Sequence, residues 1–314
     1  MRPRISLIVP TRCRPGPLAR MLDSVARTAS HPERVEVVLV VDADDRASLI
    51  GHPQLAVRHV VVPPGLTMGA LNNAGYEASV GTYVMLLNDD VIVRTPGWDA
   101  VALDCFRRFP DPFVLVHVND TLMCDHLCTF PLTSRAFYEL TRGICPREYQ
   151  RYRIDDHIED IFNLLGVLGE ARVVYLPDVV FEHDNAVHLP GAGRPVYLSD
   201  PTILAEDAPR FDALFPERKA HALRVLAAID GRTDPHADRA GRSALDAVAD
   251  SFALRVPGRQ LVVRSPGWRG PLEAVRGLAA AVNRARRKSA GDLWRAVRKR
   301  LPARRMVTQA EAGR

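Results

Sequence analysis

Five short apolar runs punctuate the first half of the chain: ISLIV (5–9), VEVVLVV (35–41), VRHVVV (57–62), YVMLL (83–87) and FVLVHV (113–118). Each is continuous rather than alternating and rich in β-branched residues, the pattern of strands buried on both faces of a sheet. Between them the period changes. Leu18, Met21, Leu22, Val25 and Ala29 recur at helical spacing and stop before Pro32, as Trp98, Val101, Cys105, Phe106 and Phe109 do before Pro110. TFPLTSRAFYEL (129–140) predicts a strand leading into a helix capped by Thr133, and CDHLC (124–128) predicts a strand with Cys124, His126 and Cys128 on one side. The segment 155–168 puts Ile158, Ile161, Phe162, Leu165 and Leu168 on one helical face, and 172–185 predicts a strand pair. Alternating strand and helix of this kind implies an α/β protein with a mainly parallel sheet flanked by helices. After about residue 200 the strand signal gives way to Ala/Arg-rich helical patterns broken by PGRQ and SPGWRGP. The expected organisation is a catalytic-type domain over 1–200 and a helical C-terminal appendage over 201–314.

Composition narrows the class. With 47% hydrophobic and 25% charged residues in 314, wholesale disorder, a collagen and a disulfide scaffold are excluded. Five cysteines without a CxxC pair fit a reducing compartment. No apolar stretch approaches the roughly 20 residues of a membrane span, and the N-terminal apolar run is too short for a secretory signal, so a cytoplasmic location is expected. Charge divides by region: residues 1–200 hold 19 basic and 25 acidic residues, residues 201–314 hold 23 and 12. Within 276–305 eleven basic residues face only Asp292, beside an apolar stripe of Val275, Leu278, Val282, Leu293, Trp294, Val297 and Leu301. That stretch suits either a helix packed on the catalytic domain or peripheral contact with the inner face of an anionic membrane. Only three of the 42 basic residues are lysines. A GC-rich genome would produce that bias unselected, and nucleic acid is not an expected partner.

In a parallel sheet, ligands sit beyond the carboxyl ends of the strands. Here those ends read PTRCRP, DADD, PPG and NDD. An isolated Asn-Asp-Asp is more often a solvated turn than a site. Asp89 and Asp90 nevertheless end a buried strand, where an unpaired carboxylate is costly, and a divalent cation such as Mg²⁺ or Mn²⁺ would remove that cost. Asp42, Asp44 and Asp45 close the neighbouring strand with further acids.

Four segments in order, ISLIVPTRCRP, VVDADD, MGALNNAGYEAS through GTY into MLLNDDV, and VVYLPDVVFEH, give the chain over roughly residues 4–185 a resemblance to family 2 glycosyltransferases of the GT-A (Rossmann-like) fold. The resemblance implies a metal-dependent, inverting transfer of a sugar from a nucleotide-diphosphate donor to an acceptor hydroxyl. It implies that Pro10, Thr11, Arg14 and Asp42 hold the nucleotide, with Asn73 on the helix that precedes MLLNDDV. The family's DxD motif falls on Asn88, Asp89 and Asp90, with Asn in place of the first Asp. By the resemblance, Asp90 is the principal ligand of Mn²⁺ or Mg²⁺, Asp89 a further one, and His183 completes the site.

The catalytic base of such enzymes is an Asp near the start of the helix before the late strand. Two acidic pairs are available. Asp155 and Asp156 sit at the helix start, where end amides hold a carboxylate ionised, and Glu159 and Asp160 lie one turn in. Asp160 is favoured, then Asp156, with His157 as a neighbour. The CDHLC segment is placed on the acceptor side rather than at a structural zinc, which would need a fourth ligand. No GxGxxG follows the first strand and no GxxxxGKS occurs, which removes the main support for dinucleotide redox chemistry and P-loop hydrolysis. Two other readings stay open: a sugar-nucleotide-binding protein with a degenerate site, and a sugar-phosphate nucleotidyltransferase.

Overall fold

Strands β1 (Ile5–Thr11) and β2 (Val35–Asp42) pair in parallel from Ile5 opposite Val35 to Thr11 opposite Val41 in a computed structural model, which describes residues 4–183, 202–234, 239–249 and 260–264. Helix α1 (Pro15–Thr28) joins them, started by Pro15 in its first turn and burying Leu18, Met21, Leu22 and Val25 against the sheet. All eight residues of β2 are buried, as a continuous β-branched run demands. One of them is Glu36, whose carboxylate accepts from Ser6 Oγ at 2.5 Å and from the amides of Val80 and Gly81 at 2.6 and 3.1 Å. It thereby ties the turn before the fourth strand into the sheet centre.

The next strand corrects an expectation. β3 (Ala56–Val62) is not buried on both faces: it pairs with β2 alone, and Val61 is 55% exposed. Being the sheet edge, it carries Arg58 and His59 at exposed positions, a common protection against edge pairing. α2 (Met68–Ala78) follows, its first turn capped by Thr67, whose hydroxyl accepts from the Ala70 amide at 3.1 Å. It lies so close to the sheet that a Cβ on Gly75 would meet Ile8 Cγ2 at 2.5 Å and Val40 Cγ2 at 2.9 Å. Gly75→Ala is therefore expected to destabilise the fold by about 1–3 kcal/mol, read as a lower urea midpoint at unchanged slope.

β4 (Tyr83–Leu86) adds to the other side of β1 in parallel, and the short β5 (Val91–Val93) leaves that layer directly after the Asn-Asp-Asp turn. After α3 (Trp98–Phe106) come β6 (Leu115–Asn119), β7 (Leu132–Ser134), α4 (Arg135–Leu140), α5 (Ile154–Val167) and β8 (Val173–His183). The sheet order is β3-β2-β1-β4-β7-β6-β8-β5, with β7 antiparallel to both its neighbours and β5 antiparallel to β8. Within the expected strand pair 172–185 the described residues form one strand, because β8 runs unbroken through Pro177 while its register with β6 shifts between Val118 and Asn119. Proline is tolerated at such an irregularity, where no ladder N–H is needed. The cap of α4 is Ser134 rather than Thr133, its hydroxyl accepting from the Phe137 amide at 3.2 Å.

The later described residues form α6 (Thr202–Ala213), α7 (Phe215–Ile229), α8 (Arg239–Asp246) and a two-residue β9 (Leu261–Val262), which pairs with β8. α7 packs on α5, contributing Ala222, Val225 and Leu226 to the core that α5 fills with Ile158, Ile161, Phe162 and Leu165. Among the described residues no helix is long and apolar enough to cross a membrane. The basic stretch 276–305 lies outside the described residues.

Candidate active site

The ends of β1, β2, β4 and β8 converge through two arginines that leave β1 in opposite directions. Cys13 adopts a left-handed backbone, φ 54°, and its amide donates to Asp45 Oδ2 at 2.5 Å. This reversal sends Arg12 towards β2, where it reaches Asp42 and chelates Asp44 at 2.7 and 2.9 Å. Arg14 goes the other way. Its guanidinium reaches Asp89 Oδ1 at 2.8 Å and Asp90 Oδ2 at 3.2 Å, while Thr11 Oγ1 donates to Asp89 Oδ2 at 2.8 Å. Pro10, the residue before Thr11, lies opposite Val40 of β2. Asp42, the last residue of β2, is buried beside Arg12.

Pairing of β5 with β8 sets Val91 opposite His183 and so brings the strand end to the Asn-Asp-Asp turn. His183 Nε2 stands 3.1 Å from Asn88 Nδ2 and 3.3 Å from Asp90 Oδ1, and the His183 amide donates to Asp120 O at 3.2 Å. Both side chains are buried, and Asp90 Oδ1 makes no hydrogen bond. Burial pushes the Asp89 carboxyl up to about 6, opposed by Arg14 and Thr11 and reinforced by the adjacent Asp90. Asp90 goes the other way: burial would raise it, but His183 and Arg14 together hold it below the usual carboxylate range.

The helix acids separate into three environments. Asp160 is fully buried, accepting from Arg218 Nε at 2.5 Å, and that guanidinium lies 3.6 Å from the centre of the Phe211 ring. This corrects the expectation that Asp160 is the base, because a carboxylate sealed in an ion pair cannot reach a substrate proton. Glu159, also buried, accepts from the Cys128 amide at 3.0 Å and so fastens the 120–129 loop to α5. Asp155 and Asp156 occupy the first turn. Arg153 Nη1 donates to Asp156 at 3.0 Å, and Asp155 accepts from the Asp156 amide at 2.9 Å. The charge of Arg151, just before this helix, acts weakly on Asp89. His157 is buried against Tyr149, whose hydroxyl is 3.1 Å from Nδ1.

Two further expectations change. Asn73 is not at the strand ends: its Nδ2 donates to Gly69 O and Cys145 O at 2.8 and 2.7 Å, and its Oδ1 accepts from the Ile144 amide at 3.1 Å. Its side chain is engaged by its own helix at Gly69 and by Ile144 and Cys145. CDHLC is a turn, not a strand. Asp120 Oδ1 collects the amides of Leu122, Met123 and Cys124 at 3.0, 2.8 and 2.9 Å, and Oδ2 accepts from Thr129 Oγ1. Arg12, Asp120 and Arg151 are the residues the sequence pattern missed; only Arg12, inside TRCRP, stood in a segment already marked.

No protein-family model matches the chain, and no curated protein matches it by sequence. Solved structures do resemble it. Residues 1–349 of S. aureus TarS, in complex with UDP, superpose at a TM-score of 0.50, with 13% identity over 94% of this chain and 92% of that one. The chain has the GT-A fold. Against a longer TarS chain the TM-score is again 0.50, at 14% identity over 82% of this chain and 50% of that one. The mannosyltransferase PcManGT from Pyrobaculum calidifontis, in complex with GDP-Man and Mn²⁺, gives 0.48 and 18% over 90% and 81%. On the GT-A frame the residues collected above lie at the carboxyl ends of β1, β2 and β4, where sheets of this kind bind their ligands.

Proposed function

We propose that the chain is a glycosyltransferase that moves a sugar, with inversion, from a nucleotide-diphosphate donor to an acceptor hydroxyl, using Mn²⁺ or Mg²⁺. The observation that carries this reading is the meeting of Asp90 and His183 beside Arg14 and Thr11 at the strand ends of a GT-A sheet. Support for a nucleoside diphosphate comes from TarS, which has this fold and was solved with UDP.

The residues fit a cation. Asp90 Oδ1 is buried without a hydrogen bond and faces an imidazole nitrogen at 3.3 Å. Among the described residues no group of three or more His, Cys, Asp or Glu side chains is arranged to hold a metal. Mg²⁺ and Mn²⁺ sites that serve phosphate transfer commonly take only one or two protein ligands and leave the rest to phosphate and water. Asp90 and His183 would hold the ion, with Asp89 behind them on Thr11. A bound cation would supply charge neutralisation for the departing diphosphate. Arg14 supplies a second positive charge from the protein itself, and Arg12, spread over Asp42 and Asp44, closes the side towards the nucleoside. Asp156, in the first turn of α5, takes the proton from the acceptor hydroxyl as it attacks the anomeric carbon. Asp155 is the next choice, and Glu159 holds the 120–129 loop on the acceptor side.

Arg14 also favours a second reading. Its guanidinium already balances Asp89 and Asp90, so a sugar-nucleotide-binding protein without turnover could keep this geometry. Turnover separates the two. A screen of UDP-, GDP- and dTDP-sugars with Mn²⁺ and Mg²⁺ is expected to show donor hydrolysis for at least one pair, and binding without turnover throughout would leave only the second reading. For the metal, Asp90→Ala and His183→Ala should each weaken nucleoside diphosphate binding in Mn²⁺ by at least about tenfold and leave binding in EDTA unchanged. Equal losses in both buffers would remove the ion from the proposal.

A further inference from the structure

A cavity of about 380 Å³ lies between α2, the 141–147 segment, α5 and α7, with none of the strand-end carboxylates in its lining. Its wall carries a convergence of cationic and neutral donors. His221 of α7 is 4% exposed, and its Nδ1 makes no hydrogen bond. Burial pushes that imidazole down to about 4, with the nearby charges of Arg224 and Arg142 adding to the effect, so it is neutral at pH 7. Arg224 donates one bond to Leu140 O at 3.3 Å, and Arg142, held at φ 61°, forms no ion pair among the described residues. The carboxylates on the lining do not balance them. Glu77 is engaged by Arg147, and Glu217 lies 3.8 Å from the other nitrogen of His221 on its own helix. On the far side His157 is buried against Tyr149, and Asn73 bonds to Gly69 O, Cys145 O and the Ile144 amide.

Two guanidiniums beside a buried imidazole whose Nδ1 makes no hydrogen bond form a site for an oxyanion, and the volume exceeds what a bare ion fills. We propose that this cavity binds a small phosphate monoester, its phosphate held by Arg142, Arg224 and His221 and its organic part resting on Ile144 and Pro146. The site is independent of the donor reading, since none of these residues touches the strand-end carboxylates.

The test is calorimetric titration of the full chain, without nucleotide, using glycerol 3-phosphate and inorganic phosphate as separate probes. Glycerol 3-phosphate is expected to bind, more tightly than inorganic phosphate. Arg142→Gln and Arg224→Gln should each weaken it by about tenfold, the scale of one charge-assisted bond, while Arg14→Gln leaves it unchanged. Arg142 is exposed, so its replacement spares the core, and an unaltered circular dichroism spectrum and melting curve confirm this for each variant. Loss in Arg14→Gln with Arg142→Gln unaffected would place the anion at the strand ends and overturn the proposal. So would the absence of binding in the millimolar range. Binding of inorganic phosphate alone would overturn the monoester assignment.

Discussion

Asp160→Asn should destabilise the protein by about 3–5 kcal/mol, the range seen when one member of a buried ion pair is removed. Arg218 is 1% exposed; it donates to Asp160 at 2.5 Å and to Phe211 O at 2.6 Å, and it stacks on the Phe211 ring. An Asn keeps the shape but leaves the guanidinium charge in the interior with no anion. Since single domains are stable by only about 5–15 kcal/mol, the shift takes a large share of the total. A urea titration followed by circular dichroism reads it as a lower midpoint. Arg218→Met in the Asp160→Asn background should recover much of the loss, because the stranded charge is then gone. A variant that melts like the wild type but transfers slowly would restore Asp160 as the base.

The ion pair shows where sequence reading stops. Asp160 and Asp156 share a helical face, which the spacing reveals, but the partner of Asp160 is 58 residues away on α7, and no local pattern announces it. The strands were legible for the opposite reason: a continuous run such as VEVVLVV has few alternatives to a buried strand. VRHVVV has the same local appearance, yet it sits at the sheet edge, because edge position is decided by which strands come later and on which side of β1 they add.

The strand-end residues were legible because fold topology does the placing. Once β1, β2 and β4 lie parallel, Thr11, Asp42 and Asp89 must end on one side of the sheet. What Asp89 and Asp90 bond to was not legible. The pattern suggested a divalent cation to offset their burial, whereas Cys13 turns the chain so that Arg14 supplies part of that charge. CDHLC misled through alternation, since the Asp120 carboxylate offers the next amides a better partner than a neighbouring strand would.

Asp156→Asn is expected to lower transfer by about 10²–10⁴ while donor affinity stays nearly intact. A general base acts only as the acceptor hydroxyl attacks, so its removal raises the barrier without weakening the ground-state complex. Among the four helix acids, Asp160 is 0% exposed on the fully buried Arg218 and Glu159 is 1% exposed on the Cys128 amide, whereas Asp156 is 6% exposed and pairs with the part-exposed Arg153, which favours the first turn. There Arg153 Nη1 donates to Asp156 at 3.0 Å and orients its carboxylate. Asp155→Asn should have a smaller effect, because that side chain mainly caps the Asp156 amide. The measurement is kcat/KM for transfer beside a separate Kd for the donor, on variants whose melting matches the wild type. Weakened donor binding with unchanged turnover would assign Asp156 to the nucleotide, and normal values of both would remove the first turn of α5 from the chemistry.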